Sequence, residues 1–102
     1  MVVRVYTRTK SLPPEERFVA VPQMRRAAWS VPTNIAEGNA KRGRGELRRY
    51  LDCALGSLGE VDTWLAGLGD LYKLDGESVV EIEDLRRRIT AGIFAVLRRG
   101  RQ

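Results

Sequence analysis

The sequence contains no histidine and a single cysteine, Cys53. Histidine is the commonest general base and the commonest transition-metal ligand, so triads and zinc sites built on histidine are excluded. One cysteine allows neither an internal disulfide, nor a Cys-x-x-Cys site, nor a Cys-His nucleophile pair. We therefore predict a non-enzymatic protein without a metal or other cofactor, in the reducing environment of the cytoplasm.

Long apolar runs are also missing. No run approaches the roughly 18 apolar residues of a membrane span, and the first ten residues lack the apolar core of a signal peptide. The chain has 102 residues, of which 43% are hydrophobic and 30% charged, which is ordinary globular composition. We expect one soluble domain over residues 1–102 that does not associate with membranes, with residues 98–102 as a frayed basic tail.

Charge is unevenly distributed along the chain, although 18 basic and 13 acidic residues give a net charge of only +5. Residues 25–49 carry seven basic side chains against Glu37 and Glu46, whereas residues 50–85 carry nine acidic side chains against Lys73. The last segment, residues 86–102, carries six arginines and no acid. Clustered arginines suit the phosphates of a nucleic acid, although solvated helix faces are also rich in Arg and Glu.

Hydrophobic periodicity predicts helices throughout. The clearest case is a heptad seam that recurs at spacings of 4 and 3 from Glu46 onward. Four glycines lie in the same stretch and each costs about 1 kcal/mol relative to alanine in a helix interior, so we expect a neighbouring backbone to approach them closely. The seam consists of Leu47, Leu51, Ala54, Leu58, Val61, Leu65, Leu68 and Tyr72, and the glycines are Gly56, Gly59, Gly67 and Gly69.

The remaining helices are predicted from residues that cap or break helices and from the spacing of apolar residues. A helix beginning near Pro22 is predicted to kink at Pro32 and to end at Gly38, and an exposed basic loop should follow over residues 39–45. A further helix is predicted from the capping box of Ser78 and Glu81 to about Arg98, after a turn at residues 74–77. Short helical segments are expected near Val2 and after Pro13-Pro14. The fold prediction is all-α: an antiparallel up-and-down four-helix bundle with a shortened first helix.

The chain carries the segments QMRRAAWSVPTNIAEG (residues 23–38), KR (41–42), ELRRYL (46–51) and ALGSLGE (54–60). In these segments it resembles the four-helix-bundle proteins encoded in intervening sequences of bacterial 23S ribosomal RNA genes, a family that includes the accessory variability determinant of diversity-generating retroelements. The resemblance covers roughly residues 6–97. It implies a ring-like homo-oligomer, a pentamer by analogy, with RNA or DNA as partner and an accessory role beside a reverse transcriptase or ribosomal RNA. One departure is Gly43, which replaces the Ser or Thr that usually caps the third helix.

Two groups of candidate site residues follow. The residues predicted to bind nucleic-acid backbone are Arg25, Lys41, Arg42, Arg44, Arg48 and Arg49. Against this, Arg48 and Arg49 could simply pair with Asp52 along their own helix. The residues predicted to form a polar network within or between subunits are Arg26, Ser30, Asn34, Glu37, Ser57 and Glu60, of which Ser57 and Glu60 follow from the resemblance alone. A structural role is favoured over a ligand site for this network.

Several other residues have two interpretations. Arg86, Arg87 and Arg88 form a second basic patch or counter-charges to the acidic third helix. Trp29 and Trp64 could stack on bases, but a place in the core or an interface is favoured, and Cys53 is predicted to be a small buried hydrophobe. The alternative to nucleic-acid binding is a homo-oligomeric scaffold that binds only protein.

Overall fold

The computed structural model describes residues 1–10, 12–72 and 76–99. Within these ranges the chain is all-α, with four helices and one short 3-10 turn, as the sequence predicted. The helices are α1 (Val2–Thr9), α2 (Ala20–Ala40), α3 (Arg44–Leu71) and α4 (Gly76–Arg99), and the 3-10 turn covers Pro14–Glu16. With 8 residues, α1 is much shorter than α3 with 28. No described helix is both long and apolar enough to cross a lipid bilayer.

Helices α2 and α3 form an antiparallel hairpin that is the backbone of the fold. The antiparallel pairing is shown by contacts in which the residue number falls along α3 as it rises along α2. These contacts join Arg26 to Glu60, Ser30 to Ser57 and Gly38 to Tyr50. The two helices lie close together at Gly38, where an added Cβ would lie 3.1 Å from the Cβ of Tyr50. The heptad seam of α3 faces this contact, which explains why six of its members are buried.

The apolar interior is divided between two clusters along the hairpin. The first joins the start of α2 to the end of α3 with α1 and α4, and the second joins the end of α2 to the start of α3 with α4. The buried residues of the first are Val5, Ala20, Met24, Ala27, Ala28, Val61, Leu65, Leu68 and Ile82, and those of the second are Val31, Leu51, Ala54, Leu58 and Ile93. Fully buried alanines on both helices leave little side-chain volume between them, so α2 and α3 can pack closely.

Charged side chains attach α4 to the rest of the bundle. Arg86 is 24% exposed, and its guanidinium lies 3.5 Å from a carboxylate oxygen of Asp62 on α3 and 3.0 Å from one of Glu83. A hydrogen bond between the carboxyl groups of Asp62 and Glu83 raises the pKa of Asp62 and lowers the pKa of Glu83. The hydrogen bond that Arg86 donates to Glu83 lowers the pKa of Glu83 further. Of the two interpretations of Arg86, the structure therefore favours a counter-charge to the acidic helix α3 over a member of a basic surface patch. On the other side, Arg4 of α1 lies 3.2 Å from Glu81.

Several predicted element boundaries were wrong. Gly38 does not end α2, which continues to Ala40, and α3 already begins at Arg44, so the predicted loop shrinks to residues 41–43. α4 begins at Gly76, two residues before Ser78, which therefore cannot be its N-cap. The start of the predicted turn, residues 74–75, lies outside the described residues. So do residues 100–102, whereas Arg98 and Arg99 of the predicted tail are helical.

Contrary to the prediction, these four glycines of α3 have no close neighbouring backbone among the described residues. A Cβ added at Gly56, Gly59, Gly67 or Gly69 would meet no described atom within 4 Å. Cys53 is exposed rather than buried. Two residues along a helix correspond to a rotation of about 200°, so Cys53 points away from the core that its neighbour Leu51 enters.

Candidate nucleic-acid interface

The turn between α2 and α3 brings five of the six predicted nucleic-acid-binding residues to one end of the molecule. We call these the hairpin tip: Lys41, Arg42, Arg44, Arg48 and Arg49. The chain reverses direction in three residues because Gly43 adopts φ 92° and ψ 149°, a backbone conformation that side chains rarely allow. Gly43 is also the N-cap of α3 and provides no side-chain cap, as its place in the sequence predicted.

The cations of the hairpin tip are all exposed, and two of them, Arg48 and Arg49, form long ion pairs with carboxylates of their own helix. Arg48 lies 4.0 Å from Asp52, and Arg49 lies 3.8 Å from Glu46. The pairing of Arg48 with Asp52 was anticipated, whereas Arg49 pairs with Glu46 instead. Exposed pairs of this kind contribute only about 0.2 to 1 kcal/mol, so a phosphate can replace them at little cost.

An aromatic ring lies among these cations. The guanidinium of Arg49 is 5.2 Å from the centre of the Tyr50 ring, and the ammonium of Lys41 is 6.0 Å from it. Such cation-π contacts hold long side chains in place without neutralising their charge. The first turn of α3 presents its backbone N–H groups at the same end of the molecule, where they add to the attraction for anions. Glu37, Glu46 and Asp52 are the nearest acidic residues, so the positive charge is in excess but not unopposed.

Arg25 is not part of the hairpin tip. It lies in the first half of α2, and at 1.5 Å per residue it is roughly 22 Å along the helix from Ala40. There its Nε donates a hydrogen bond of 2.9 Å to Thr9 Oγ1, and its guanidinium lies 4.2 Å from the centre of the Tyr6 ring. The sequence analysis missed this cluster, although Tyr6 and Thr9 lie three residues apart and therefore on one face of a helix.

Five of the six residues predicted for the polar network form hydrogen bonds with one another, in two separate groups that link α2 to α3. Ser57 Oγ donates to Ser30 Oγ at 2.7 Å, and Asn34 Nδ2 donates to the Ser30 carbonyl and hydroxyl oxygens at 2.7 and 2.9 Å. Arg26 donates to Glu60 at 2.7 Å. Glu37 does not take part: its side chain is exposed and forms no ion pair within the described residues.

The two tryptophans occupy different environments. Trp64 is partly buried against the first apolar cluster, as predicted. Trp29 is 51% exposed, and its Nε1 donates to the hydroxyl of Tyr6 at 3.0 Å. Trp29 is therefore not a core residue of the single chain. Arg88, on α4, pairs with Asp84 at 2.9 Å, which leaves Arg87 as the exposed member of that patch without an ion pair in the described part of the chain.

Fold and site together define a small all-α protein whose longest hairpin ends in a basic tip. The model of the 23S rRNA-intervening sequence protein family matches residues 1–95, and the chain belongs to this family. It is also similar to a crystal structure of a protein with unknown function from the S23 ribosomal protein family of Bacteroides thetaiotaomicron VPI-5482. The two share 25% sequence identity with a TM-score of 0.83, over 94% of this chain and 90% of the other. A comparison with curated proteins gives no match.

Proposed function

We propose that this protein is a non-enzymatic helical bundle that binds the phosphate backbone of RNA or DNA through the hairpin tip. The observation that carries the proposal is the convergence of five exposed cations on one three-residue connection and the first turns of α3. Four of the five are arginines, whose planar donor fork matches two phosphate oxygens at once. Within the described residues, Arg42 forms no ion pair, and the pairs of Arg48 and Arg49 are long.

Contacts of this kind position a protein on nucleic acid without reading its sequence. The tip offers cations and backbone N–H groups, but few of the amides that recognise individual base edges. We therefore propose binding that is nearly independent of sequence and strongly dependent on salt. A role as accessory to a reverse transcriptase or to ribosomal RNA is a further part of this proposal, and it rests on the resemblance described in the sequence analysis.

Self-association is the second part of the proposal. Several large apolar side chains are exposed on the single chain: Phe18 is 85% exposed, Leu71 72% and Val80 67%. Scattered apolar residues are common on monomers, but these would be covered in a homo-oligomer. A ring, a pentamer by analogy with the family, would repeat the hairpin tip in every subunit and raise the local positive potential for a polyanion.

The test is a binding titration over a salt series with single-stranded RNA and duplex DNA of unrelated sequences. We expect the logarithm of the association constant to fall linearly with the logarithm of salt concentration. The triple variant Lys41→Ala, Arg42→Ala, Arg44→Ala should weaken binding to all sequences alike and reduce the slope by about 2, because each lost phosphate contact contributes roughly 0.7 on single strands.

A matched control removes three exposed cations far from the tip: Arg4→Ala, Arg87→Ala and Arg88→Ala. This control should bind nearly as well as the parent protein. No binding at low salt, binding insensitive to salt, or equal losses in both triple variants would refute the role of the hairpin tip. A stable oligomer in light scattering that has no affinity for nucleic acid would favour the scaffold function instead, since the exposed apolar side chains would then explain assembly alone.

A further inference from the structure

A cleft of about 480 Å³ lies where the end of α1, the 3-10 segment and the start of α2 meet. It is far from the hairpin tip, at the other end of α2. Its volume falls within the range of small-molecule sites in proteins. The described residues that line it are Thr9, Lys10, Leu12, Pro13, Pro14, Arg17, Val21 and Arg25.

The charge of this cleft is of one sign. Lys10, Arg17 and Arg25 line it, and none of its described lining residues is acidic. None of the three cations forms an ion pair within the described part of the chain. The nearby Glu15 and Glu16 accept hydrogen bonds from the Tyr72 hydroxyl, at 3.4 and 2.8 Å, and so are held by the end of α3.

Arg25 is fixed in place before any ligand arrives. Its Nε–H is bonded to Thr9 Oγ1, which is itself anchored by a 3.1 Å bond to the Tyr6 carbonyl, and its guanidinium plane rests on the Tyr6 ring. The Tyr6 hydroxyl is in turn bonded by Trp29. These contacts use one of the five N–H donors of Arg25. An arginine that is already ordered loses little side-chain entropy when it binds an anion, and this favours affinity.

We propose that this cleft binds a small ligand that carries a terminal phosphate monoester. A phosphate monoester has a charge of about −1.5 to −2 near neutral pH, which three cations without described ion pairs can compensate, and its oxygens match the fork of Arg25. The apolar wall formed by Leu12, Pro13 and Val21 provides room for the uncharged body of the ligand. The ligand is a free nucleotide or the 5′-phosphate end of a strand, since both present the same group.

Calorimetric titration with 5′-AMP, with adenosine as the uncharged comparison, tests the proposal. We expect saturable binding of 5′-AMP and none of adenosine at the same concentrations. Arg17→Ala should weaken binding about tenfold, as expected for the loss of one charge-assisted contact. Arg25→Lys should weaken it by a similar factor, because it keeps the charge but loses the fork. The exposed Arg17 side chain forms no hydrogen bond, ion pair or ring contact in the described structure, so we expect its removal to leave the fold and the circular dichroism spectrum unchanged.

Arg88→Ala, which removes an exposed arginine of α4, is the matched control and should leave binding of 5′-AMP unchanged. A 5′-phosphorylated hexanucleotide compared with its 5′-hydroxyl counterpart separates the two sources. If the 5′-phosphate strengthens binding of the hexanucleotide and Arg17→Ala removes that gain, the end of a strand is a ligand of the cleft. If the 5′-phosphate gives no such gain while 5′-AMP binds, the ligand is a free nucleotide. Failure of 5′-AMP to saturate the protein, or equal weakening by Arg17→Ala and Arg88→Ala, would overturn the proposal. The residues changed in the hairpin-tip variant do not line this cleft, so the experiments test the two proposed sites independently.

Discussion

Among the described glycines that lie inside helices, Gly38 should tolerate alanine least. Alanine is favoured over glycine in a helix by about 1 kcal/mol, so the substitution would ordinarily stabilise the fold. At Gly38 the new Cβ would lie 3.1 Å from Tyr50 Cβ and 3.3 Å from Leu47 Cδ1. A Cβ atom is fixed to its backbone, so α3 itself must move by a few tenths of an ångström to make room at Tyr50.

Overpacking of this kind typically costs about 1 to 3 kcal/mol, which cancels or exceeds the propensity gain. We therefore expect Gly38→Ala to change the free energy of unfolding by between zero and about 2 kcal/mol in the destabilising direction. Gly59→Ala is the matched substitution, because its Cβ would enter open space on the far side of α3. It should gain up to about 1 kcal/mol.

Urea denaturation followed by circular dichroism measures both variants against the parent protein. Titrations at two protein concentrations separate folding from association, since the stability of an oligomer depends on concentration. The expected gap between the two variants is about 1 to 3 kcal/mol. If Gly38→Ala stabilised the protein as much as Gly59→Ala does, the close contact of α2 and α3 at this position would be refuted.

Two further predictions concern contacts between elements. Ser30→Ala and Ser57→Ala should each cost about 1 kcal/mol in urea denaturation, and the double variant less than the sum, because both remove the same 2.7 Å bond; fully additive losses would contradict this coupling. The hydrogen bond to Glu16 raises the pKa of Tyr72 from 10.0 to about 12, so the stability that this bond provides should be present below pH 10 and be lost as the pH rises through about 12. Ultraviolet titration of the phenolate in the parent protein and in Glu16→Gln measures the shift, and an unchanged midpoint in the variant would argue against the bond.

The fold could be predicted from the sequence where the spacing of apolar residues alone determines which face of a helix is buried. Six of the eight seam residues of α3 are buried, and α2 likewise buries side chains from Met24 to Val31 at spacings of 3 and 4, since such spacings leave only one way to hide these side chains. The family resemblance was confirmed as well. Composition and periodicity therefore sufficed for the fold class and for the residues of the core.

Positions off the seam were harder to predict, because a glycine or cysteine on a helix is compatible with either face. Gly59 and Cys53 were assigned to contacts that the single chain does not make, while the close approach falls at Gly38, which was assigned to a helix end. The separation of Arg25 from the hairpin tip could have been predicted, because the helix expected from Pro22 to Gly38 already places Arg25 roughly 20 Å from its end. The contacts of Arg25 with Tyr6 and Thr9 could not, because they depend on where α1 packs, which is not a local property of the sequence.

The two tryptophans lie in different environments, so their intrinsic fluorescence can report on the structure of this protein. The indole of Trp64 is packed against the apolar interior, whereas that of Trp29 is half in water and joined to Tyr6. Emission of Trp29 should therefore lie at longer wavelength, and replacing Trp64 with phenylalanine would leave a single tryptophan, at the junction of α1 and α2. Light from that one side chain would then report directly on whether α1 stays docked.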